Sequence, residues 1–347
     1  MMQTRVLALL ASILCCASLK APSTLVVQNK GGGHGELGYH IAKQLSDLGH
    51  DVTLLQDSSC SKEKQPFASY SSLPSNVKVQ MQDFSDFKAP LEGGSFDYIV
   101  DNYSKDESSD ASKALLEMAS ASSMQKYVYV SSAGLYKPEA PFGGDDSGPL
   151  LEDMPVKDAG QARFEKEFAS LNVPFFSFRP QYIYGKLANK FSYIDYFFDR
   201  IVNDKPLPIP NSGEQKVSLT NAADVASLLV CCVKSDGPAG VYNCGTNAVL
   251  SYNELSDLCA KVASAKLGRS VSANVVRFDS SKVGKGAFPF RENSFYVKPT
   301  KAMDKLGWDN GSCKLEEDLK WYFEDYLKRN PSPDFSKDEE VLQSVTA

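Results

Sequence analysis

The sequence predicts an α/β fold in which helices cover both faces of a doubly wound parallel sheet, with a smaller, interleaved C-terminal lobe. Stretches rich in β-forming residues alternate with stretches of helical periodicity, which is typical of a parallel sheet. The first strand runs into a glycine-rich turn and a helix, as in Rossmann-like nucleotide-binding domains. A chain of 347 residues, 42% of them hydrophobic, is long enough for this sheet and a second lobe of the substrate-binding type.

Strands of the main sheet are predicted at residues 23–28, 51–55, 77–81, 96–100, 127–130, 175–178 and 240–244. Between the last two, prolines at 206, 208 and 210 break the chain into loop. We therefore expect two units: a nucleotide-binding domain of residues 23–180 with 221–246, and a small basic lobe of residues 181–220 with 247–328. The polar segment 329–347 lacks periodicity and is interpreted as a flexible tail.

Residues 1–18 have the three-part pattern of a secretory signal: a positive charge at Arg5, an apolar run, and small residues at the end. The run is too short to span a bilayer, and no membrane partner is expected. A buried first strand is the alternative, but Pro22 separates the run from the strand that follows. The junction at 17–22 resembles the signal/transit junction of algae whose plastids lie inside endomembranes, so we expect delivery to the plastid stroma, with secretion as the alternative.

The formal charge of −6 becomes −7 without the presequence, so the chain as a whole repels polyanions and nucleic-acid binding must be local. Its eight cysteines form no C-x-x-C pair and have no histidine at ligand spacing. This pattern favours reduced core thiols over a zinc site or a disulfide framework. No metal-ligand set is predicted among the cysteines and histidines.

Gly32, Gly35 and Gly38 form a G-x-x-G-x-x-G turn between the first strand and the first helix. Such a turn lets backbone N–H groups approach a pyrophosphate at the positive end of the helix. The predicted cofactor is therefore NAD or NADP, in a vestigial or regulatory role. Gln56 and Asp57 stand where an acidic residue holds the adenosine ribose, so the choice between the two stays open.

Further binding candidates lie where other strands end. Asp83 and Phe84 follow the third strand and are candidates for the adenine ring, with an ordinary strand-end turn as the alternative. Ser131 and Ser132 place two hydroxyls at the carboxyl end of the fifth strand, where ligands bind in open α/β sheets. Arg179, at the end of the sixth strand, completes the predicted cofactor-binding set.

Residues 127–136, Arg179-Pro180 and the Lys-Leu-Gly-Trp run at 305–308 resemble the extended short-chain dehydrogenase/reductases over roughly residues 23–325. Stretches at 32–34, 101–106, 179–182, 197–202 and 287–291 are similar to one atypical branch of that NAD-dependent epimerase/dehydratase-like family, the chloroplast stem-loop-binding proteins. The resemblance implies a plastid protein that binds stem-loop RNA, acts in mRNA stability or processing and, in some members, cleaves that RNA. It also implies association with ribosomes or nucleoid complexes, and a homo-oligomer is a further expectation.

In the wider family a serine at the position of Ser132 polarises the substrate, and a Tyr-x-x-x-Lys pair on the next helix moves the proton. Here Ala162 aligns with the tyrosine and Lys166 with the lysine. Because alanine cannot transfer a proton, a standard oxidoreductase is not expected. Two alternatives stay open: an NAD(P)-dependent nucleotide-sugar epimerase or reductase in which Lys166, Ser132 or a substrate group replaces the tyrosine, and a non-enzymatic nucleotide-sensing scaffold.

RNA cleavage would need an acid/base pair or a bound Mg²⁺ to activate the attacking hydroxyl, so a metal-assisted endoribonuclease is the enzymatic hypothesis. His34 lies in the glycine turn, while Asp101 and Asn102 end the fourth strand on the same edge of the sheet. The three are predicted to converge. The alternative is that Asp101 and Asn102 only close a turn. The predicted catalytic set is His34, Asp101, Asn102, Ser132 and Lys166.

The segment 261–301 carries a net charge of +7. Phenylalanines and a tyrosine are interleaved with its basic residues, which favours phosphate contacts beside stacking rings. Two alternatives stay open: the rings form the core of the small lobe, or the basic lobe serves the diphosphate of a nucleotide sugar. The predicted RNA contacts are Lys261, Lys266, Arg269, Arg277, Lys282, Lys285, Arg291, Lys298 and Lys301.

Overall fold

The structure is a computed structural model that describes residues 20–29, 34–84, 95–121, 123–137, 148–283 and 286–346. The predicted presequence and the predicted site residues Gly32 and Lys285 lie outside these residues. Within the described ranges, every helix is too short or too polar to cross a bilayer.

The strands, numbered in chain order, are β1 (Ser23–Gln28), β2 (Asp51–Asp57), β3 (Val77–Gln82), β4 (Tyr98–Asn102), β5 (Lys126–Val130), β6 (Phe175–Pro180), β7 (Ile183–Tyr184), β8 (Pro206–Pro210), β9 (Lys216–Val217), β10 (Thr220–Asn221), β11 (Gly240–Cys244), β12 (Leu250–Ser251) and β13 (Asn274–Phe278). The α-helices are α1 (Glu36–Asp47), α2 (Asp110–Ala121), α3 (Gly160–Phe168), α4 (Ser192–Val202), α5 (Ala222–Lys234), α6 (Tyr252–Leu267), α7 (Thr300–Leu306), α8 (Leu315–Arg329) and α9 (Ser336–Thr346).

The main sheet has the strand order β11-β6-β5-β4-β1-β2-β3, and all of its neighbouring strands run parallel. The chain winds outward from β1 in one direction through β2 and β3, then returns to the other side of β1 with β4. This reversal opens a crevice at the carboxyl ends of β1 and β4. The predicted doubly wound, Rossmann-like sheet is thereby confirmed.

Helices cover both faces of this sheet. On one face α1 packs against α5, and Gln44 Nε2 donates to the Ala223 carbonyl at 2.9 Å. On the other face α2 and α3 bury Leu115, Phe164 and Phe168. Because β4 and β5 are covered on both sides, their residues form nearly continuous buried runs.

The small lobe is built from α4, α6 and α8 around the parallel pair β8–β13. The rings of Phe278, Phe288 and Phe290 are buried in its core, where Tyr252 stacks on Phe290 with ring centroids 5.6 Å apart. The structure therefore supports the alternative interpretation of these aromatics, as core rather than as exposed stacking rings.

The prediction of a flexible tail at 329–347 is wrong, because this segment carries helix α9. The helix packs on β8 and β13. Asp338 accepts two hydrogen bonds from the buried guanidinium of Arg200, at 2.6 and 2.9 Å, and Val341 is only 1% exposed. One buried ion pair and few apolar contacts dock the helix, which is why its sequence shows no strong hydrophobic period.

Candidate functional site

A cavity of about 650 Å³ opens at the carboxyl edge of the sheet, where β1, β4 and β5 end. Ligands of open α/β sheets bind at such a reversal point, and the volume lies in the range of small-molecule sites. Four predicted site residues line the cavity: His34, Asn102, Ser131 and Ser132. Other polar and aromatic residues that line it are Asn29, Lys105, Asp106, Gln161, Tyr182 and Tyr193.

The two serines after β5 lie at the cavity as predicted. Ser132 Oγ accepts a hydrogen bond from the Gly134 N–H at 3.0 Å and so caps a short 3₁₀ turn. Ser131 is 5% exposed, and its buried hydroxyl has no hydrogen-bond partner. A buried unpartnered hydroxyl costs about 1–3 kcal/mol, so Ser131 is the more informative of the two as a ligand-binding group.

Asp101 and Asn102 have different surroundings, and only Asn102 lines the cavity. Asp101 accepts from Tyr127 Oη at 2.7 Å and from the backbone N–H groups of Tyr103 and Ser104 at 2.9 Å. Burial raises the pKa of Asp101 despite these bonds. Since its carboxylate is engaged beneath the strand end and does not line the cavity, the geometry contradicts the predicted catalytic role and supports turn closure. Asn102 does line the cavity, and its Nδ2 donates to Gln28 Oε1 at 2.7 Å.

His34 reaches the cavity from the glycine turn, with its backbone in the left-handed region at φ 56°. Its Nδ1 lies 3.4 Å from Oε1 of Glu36, a fully buried carboxylate in the first turn of α1. The other oxygen of Glu36 is buried without a partner. A carboxylate beside one ring nitrogen orients the imidazole, so His34 is the best-placed acid–base group of the predicted set.

The glycine turn brings α1 very close to β1. A Cβ at Gly38 would overlap the end of the Gln28 side chain, so a larger residue there would have to displace that side chain from its bonds to Gly35 and Asn102. Gln28 itself is fully buried, and its amide donates to the carbonyl of Gly35, the residue before α1. In the described part of the turn, Gly38 therefore serves helix–strand packing.

Among the described residues at this turn, Glu36 opposes the binding of a dinucleotide pyrophosphate. A pyrophosphate would sit at the N-terminus of α1, and the buried carboxylate of Glu36 already places a negative charge there. An acidic side chain in the first turn complements the helix dipole by itself. A second anion would meet that charge in a poorly solvated site, where like charges repel strongly.

The side of the crevice that would hold adenosine is also occupied by structural contacts. Gln56 Oε1 accepts from Tyr70 Oη at 2.8 Å, and Asp57 Oδ1 accepts from the Ser59 N–H at 2.8 Å. Phe84 is buried, and its ring meets Tyr103 edge-on at 4.8 Å. Neither Asp83 nor Phe84 lines the cavity, and their predicted contact with an adenine ring stays a prediction beside the alternative of a strand-end turn.

Helix α3 presents other residues to the sheet than those predicted. Gln161 lines the cavity, and Glu165, one turn later, is buried against Arg179, with Oε2 and Nη2 2.6 Å apart. Lys166 lies on the exposed face of α3 and does not line the cavity, and Ala162 is beside it on the helix rather than at the site. Glu165 holds the Arg179 guanidinium through Nε and Nη2, while Nη1 is buried without a hydrogen-bond partner. The predicted roles of Lys166 and Arg179 stay predictions.

The basic segment 261–301 does not form one surface. Lys261 and Lys266 point from α6 toward α8, where they pair with Glu316 and Glu324. Lys301 instead donates to the Val241 carbonyl on β11 at 2.8 Å. Arg269 and Lys282 are exposed, Lys298 is half-buried and Arg277 donates to Asn253.

Arg291 lies beside the turn that follows Ser132, although it does not line the cavity itself. Its Nη2 donates to the Gly134 carbonyl at 3.2 Å, and its guanidinium lies 3.6 Å above the centre of the Phe295 ring. Lys157 donates to the same carbonyl at 3.1 Å. The strand-end turn at Gly134, next to Ser132, is therefore flanked by two cations.

Sequence reasoning missed Glu36, Gln161, Tyr182 and Tyr193. The four-residue spacing of Gln161 and Glu165 on α3 is a signal that could have set the helix face, whereas nothing local marks Tyr193, which reaches the cavity from α4 of the other lobe. Across the described ranges, no group of three or more His, Cys, Asp or Glu side chains is placed to hold a metal ion, so a Mg²⁺ site has no support there. The described cysteines, which include Cys60, Cys244 and Cys259, form no disulfide among themselves.

Comparison with known proteins agrees with this fold. Residues 31–245 match the NAD dependent epimerase/dehydratase family. A chloroplast stem-loop binding protein of 41 kDa (b form) from Arabidopsis thaliana is 29% identical over 287 residues, which are 80% of this chain and 73% of that protein. The dTDP-D-glucose 4,6-dehydratase of Homo sapiens is 21% identical over 220 residues, 61% of this chain and 60% of the enzyme. The predicted resemblance to the stem-loop-binding branch is confirmed.

Solved structures show the same architecture. The UDP-glucuronic acid 4-epimerase of Bacillus cereus in complex with NAD superposes with a TM-score of 0.65 at 16% identity, over 88% of this chain and 99% of the enzyme. The dTDP-glucose 4,6-dehydratase of Bacillus anthracis in complex with NAD has a TM-score of 0.65 at 16% identity, over 89% and 97%. At this identity the likeness establishes the fold, which is that of NAD-binding proteins.

Proposed function

Since this chain belongs to the NAD dependent epimerase/dehydratase family, we propose that it uses that scaffold to bind structured RNA and not to oxidise and reduce a nucleotide sugar. The observation that carries the proposal is the inward face of α3, where Gln161 and Glu165 stand in place of a tyrosine and a lysine. The similarity to a stem-loop binding protein is the reason for proposing structured RNA as the ligand.

Tyr182, one of the tyrosines that line the cavity, is a poor substitute for a proton-transferring tyrosine. Burial raises the pKa of Tyr182 to about 12, although its hydroxyl accepts a hydrogen bond from the Arg291 N–H at 3.1 Å. Redox chemistry of this family type needs the opposite, a phenol whose pKa is lowered toward neutrality. Tyr193 Oη accepts from Lys190 Nζ at 3.1 Å, but this tyrosine lies on α4 of the small lobe and not on α3, the helix that carries the tyrosine in the wider family.

Cations around the cavity provide the phosphate contacts in this proposal. Lys105 lines the cavity, Lys190 lies 4.6 Å from the ring centre of Tyr193, and Lys157 and Arg291 flank the turn at Gly134. Cations interleaved with aromatic rings suit a nucleic-acid strand. The ion-paired Lys261 and Lys266 on α6 are a weaker choice, because RNA would have to compete with Glu316 and Glu324.

Salt-dependent binding of a stem-loop RNA tests the proposal. The wild type should bind in a gel shift and lose affinity steeply between about 50 and 200 mM salt. The affinity of the variant K105E/K190E should be lower by a factor of roughly ten or more. The reason is that each lost phosphate contact leaves a counterion on the RNA, whose release would have favoured binding. The charge-matched variant K78E/K113E, exposed on β3 and α2, should bind within about twofold of the wild type. Absence of salt-sensitive binding refutes the proposal.

Cleavage is tested on the same RNA. His34, oriented by Glu36, is the acid–base group at the cavity, so strand scission assigned to this site should disappear in H34A while binding remains. Parallel reactions with Mg²⁺ and with a chelator determine whether a metal takes part. Scission unchanged in H34A would place the chemistry elsewhere.

The proposal also places the protein in plastids. The Arabidopsis thaliana relative is chloroplastic, and residues 1–22 have the pattern of a signal followed by a transit junction. A fluorescent fusion of these residues in an alga with endomembrane-enclosed plastids should label the plastid. Fluorescence in the medium or the endomembranes would favour the secretory alternative.

A further inference from the structure

Four nearly parallel aromatic rings connect the glycine turn to the core of the small lobe. His34 and Tyr193 lie with ring centroids 6.4 Å apart and an interplanar angle of 14°, an offset-stacked pair in direct contact. Tyr193 stacks in turn on Phe290 at 5.6 Å and 12°, and Phe290 stacks on Tyr252 at 5.6 Å and 8°. We call these four rings the aromatic column. Its first ring lies between β1 and α1 and the other three belong to the small lobe, so the column joins the two lobes.

The small-lobe end of the column is held firmly. Phe290 and Tyr252 are 6% and 0% exposed. The ring of Tyr193 is half-buried, and its Oη accepts a hydrogen bond from Lys190 Nζ at 3.1 Å. Tyr193 is thus supported on one face and at its hydroxyl, and its other face contacts His34.

Glu36 holds the imidazole of His34 from a second side. Nδ1 lies 3.4 Å from Oε1 of this fully buried carboxylate. An ionised carboxylate only accepts hydrogen bonds, so Nδ1 carries the proton and Nε2, on the opposite edge of the ring, keeps a free lone pair. Since His34 lines the cavity, Nε2 is the nitrogen that can take a proton from a ligand hydroxyl. The Glu36 carboxylate stabilises the imidazolium that results.

The bond to Glu36 does not fix the plane of the imidazole by itself. A single hydrogen bond lets the ring swing about the line that joins Nδ1 to the carboxylate. His34 also stands between Gly33 and Gly35 in the sequence, with its own backbone in the left-handed region at φ 56°. Because its chain neighbours have no side chains to support the ring, the flat face of Tyr193 supplies the missing restraint.

We propose that Tyr193 is a positioning residue for His34, and that the aromatic column holds the imidazole so that Nδ1 meets Glu36 and Nε2 faces the cavity. The acid–base group of the cavity is thus assembled from both lobes. One lobe supplies the carboxylate and the imidazole, and the other supplies the ring that orients them. The use of this group on RNA rests on the proposed function, whereas the state of His34 in the free protein does not.

The tautomer of His34 tests the inference without RNA. The chain has only three histidines, so labelling histidine with ¹³C and ¹⁵N gives few signals, and H34Q identifies those of His34. At about pH 8, where an ordinary histidine is neutral, the wild type should carry the proton on Nδ1, whereas free histidine favours Nε2. Y193L keeps an apolar side chain but removes the ring, and its His34 should change to the mixture of tautomers found in free histidine.

Two controls accompany this measurement. Y193F keeps the ring and should give the wild-type tautomer. His50, whose Nδ1 lies 2.8 Å from Thr24 Oγ1, should give the same signals in every variant and so reports that the variants are folded. Protonation of His34 at Nε2 in the wild type would overturn the inference, as would an unchanged His34 tautomer in folded Y193L.

Strand scission of a stem-loop RNA provides a second readout. Y193L should lower kcat at least about tenfold with KM unchanged, because misplacing a reacting group by about 1 Å can cost a factor of ~100 in rate. Y193F should cleave like the wild type. A raised KM with unchanged kcat in Y193L would make Tyr193 an RNA contact and refute its positioning role. Absence of salt-sensitive RNA binding refutes the proposed function, while the histidine signals of the free protein decide this inference separately.

Discussion

Glu165 and Arg179 form a buried ion pair, with Oε2 of the carboxylate 2.6 Å from Nη2 of the guanidinium. Ser177 Oγ donates to the same carboxylate at 2.7 Å, and the guanidinium lies 4.8 Å from the ring centre of Tyr136. The pair fixes α3 on β6 and so determines which face of the helix meets the sheet. That choice turns Gln161 toward the cavity and leaves Lys166 in solvent.

Breaking this pair should destabilise the protein strongly. E165A leaves the Arg179 charge buried and unpaired, and removing one partner of a buried pair costs about 3–5 kcal/mol. The measurement is the free energy of unfolding in urea. E167A, an exposed residue on the same helix, should change it by less than about 0.5 kcal/mol. A loss below about 1 kcal/mol in E165A would mean that the pair does not anchor α3.

The C-terminal helix should be part of the cooperative fold. D338A removes both hydrogen bonds to the buried Arg200 and is expected to lower the free energy of unfolding by about 3–5 kcal/mol. Limited proteolysis should then cut after Arg329 in the variant sooner than in the wild type. E340A, which changes an exposed acidic residue of the helix itself, is the matched control. Equal proteolysis rates in all three proteins would contradict the docking of α9.

Removing the carboxylate at the start of α1 should improve dinucleotide binding. E36Q keeps the shape of the side chain but removes the charge that opposes a pyrophosphate. We expect its affinity for NAD, measured by calorimetry, to rise at least about tenfold, which corresponds to about 1.4 kcal/mol. D47N, at the opposite end of the same helix, should leave NAD binding as it is in the wild type. Tight NAD binding by the wild type would show that Glu36 does not oppose the pyrophosphate.

Acidification should destabilise the protein through His50. This side chain is buried with Nδ1 2.8 Å from Thr24 Oγ1, and burial lowers its pKa below the ordinary 6.5. The unfolded chain therefore binds the proton first, so stability present above pH 6.5 is lost as the pH falls toward the folded pKa. The slope from this group is at most about 1.4 kcal/mol per pH unit.

Urea unfolding of the wild type and H50N at a series of pH values measures this effect. The difference in unfolding free energy between the two proteins should be largest above pH 6.5 and should shrink at lower pH. Carboxylates shared by both proteins cancel in the difference. A difference that stays constant with pH would exclude His50 as the titrating group.

Features governed by local pattern were predictable from the sequence. The order of strands and helices follows from alternating periodicity, and Gly38 marks the close approach of α1 to β1. Ser131 and Ser132 were placed at the cavity because parallel strands end on a common edge. These inferences need only the chain direction and the spacing of residues.

Roles that depend on which side chains meet were not predictable. Asp101 lies at the end of β4, as predicted, but its carboxylate accepts three hydrogen bonds beneath the carboxyl edge of the sheet. The charge count of 261–301 could not show that Lys261 and Lys266 face acidic residues of α8. Helix α9 is docked by partners that lie far away in the sequence: Arg200 pairs with Asp338, and Val341 packs in the core of the small lobe.

By itself the sequence determined a Rossmann-like sheet, the carboxyl edge on which its two serines lie, and the absence of a tyrosine on the helix expected to supply one. Tertiary structure alone decided that His34 and Tyr193 face each other, that Glu36 occupies the helix terminus, and that Glu165 holds Arg179. The physical reason is the separation along the chain of the residues that interact. Secondary structure follows from periodicity between near neighbours, whereas burial and pairing of polar groups depend on contacts between residues distant in the chain.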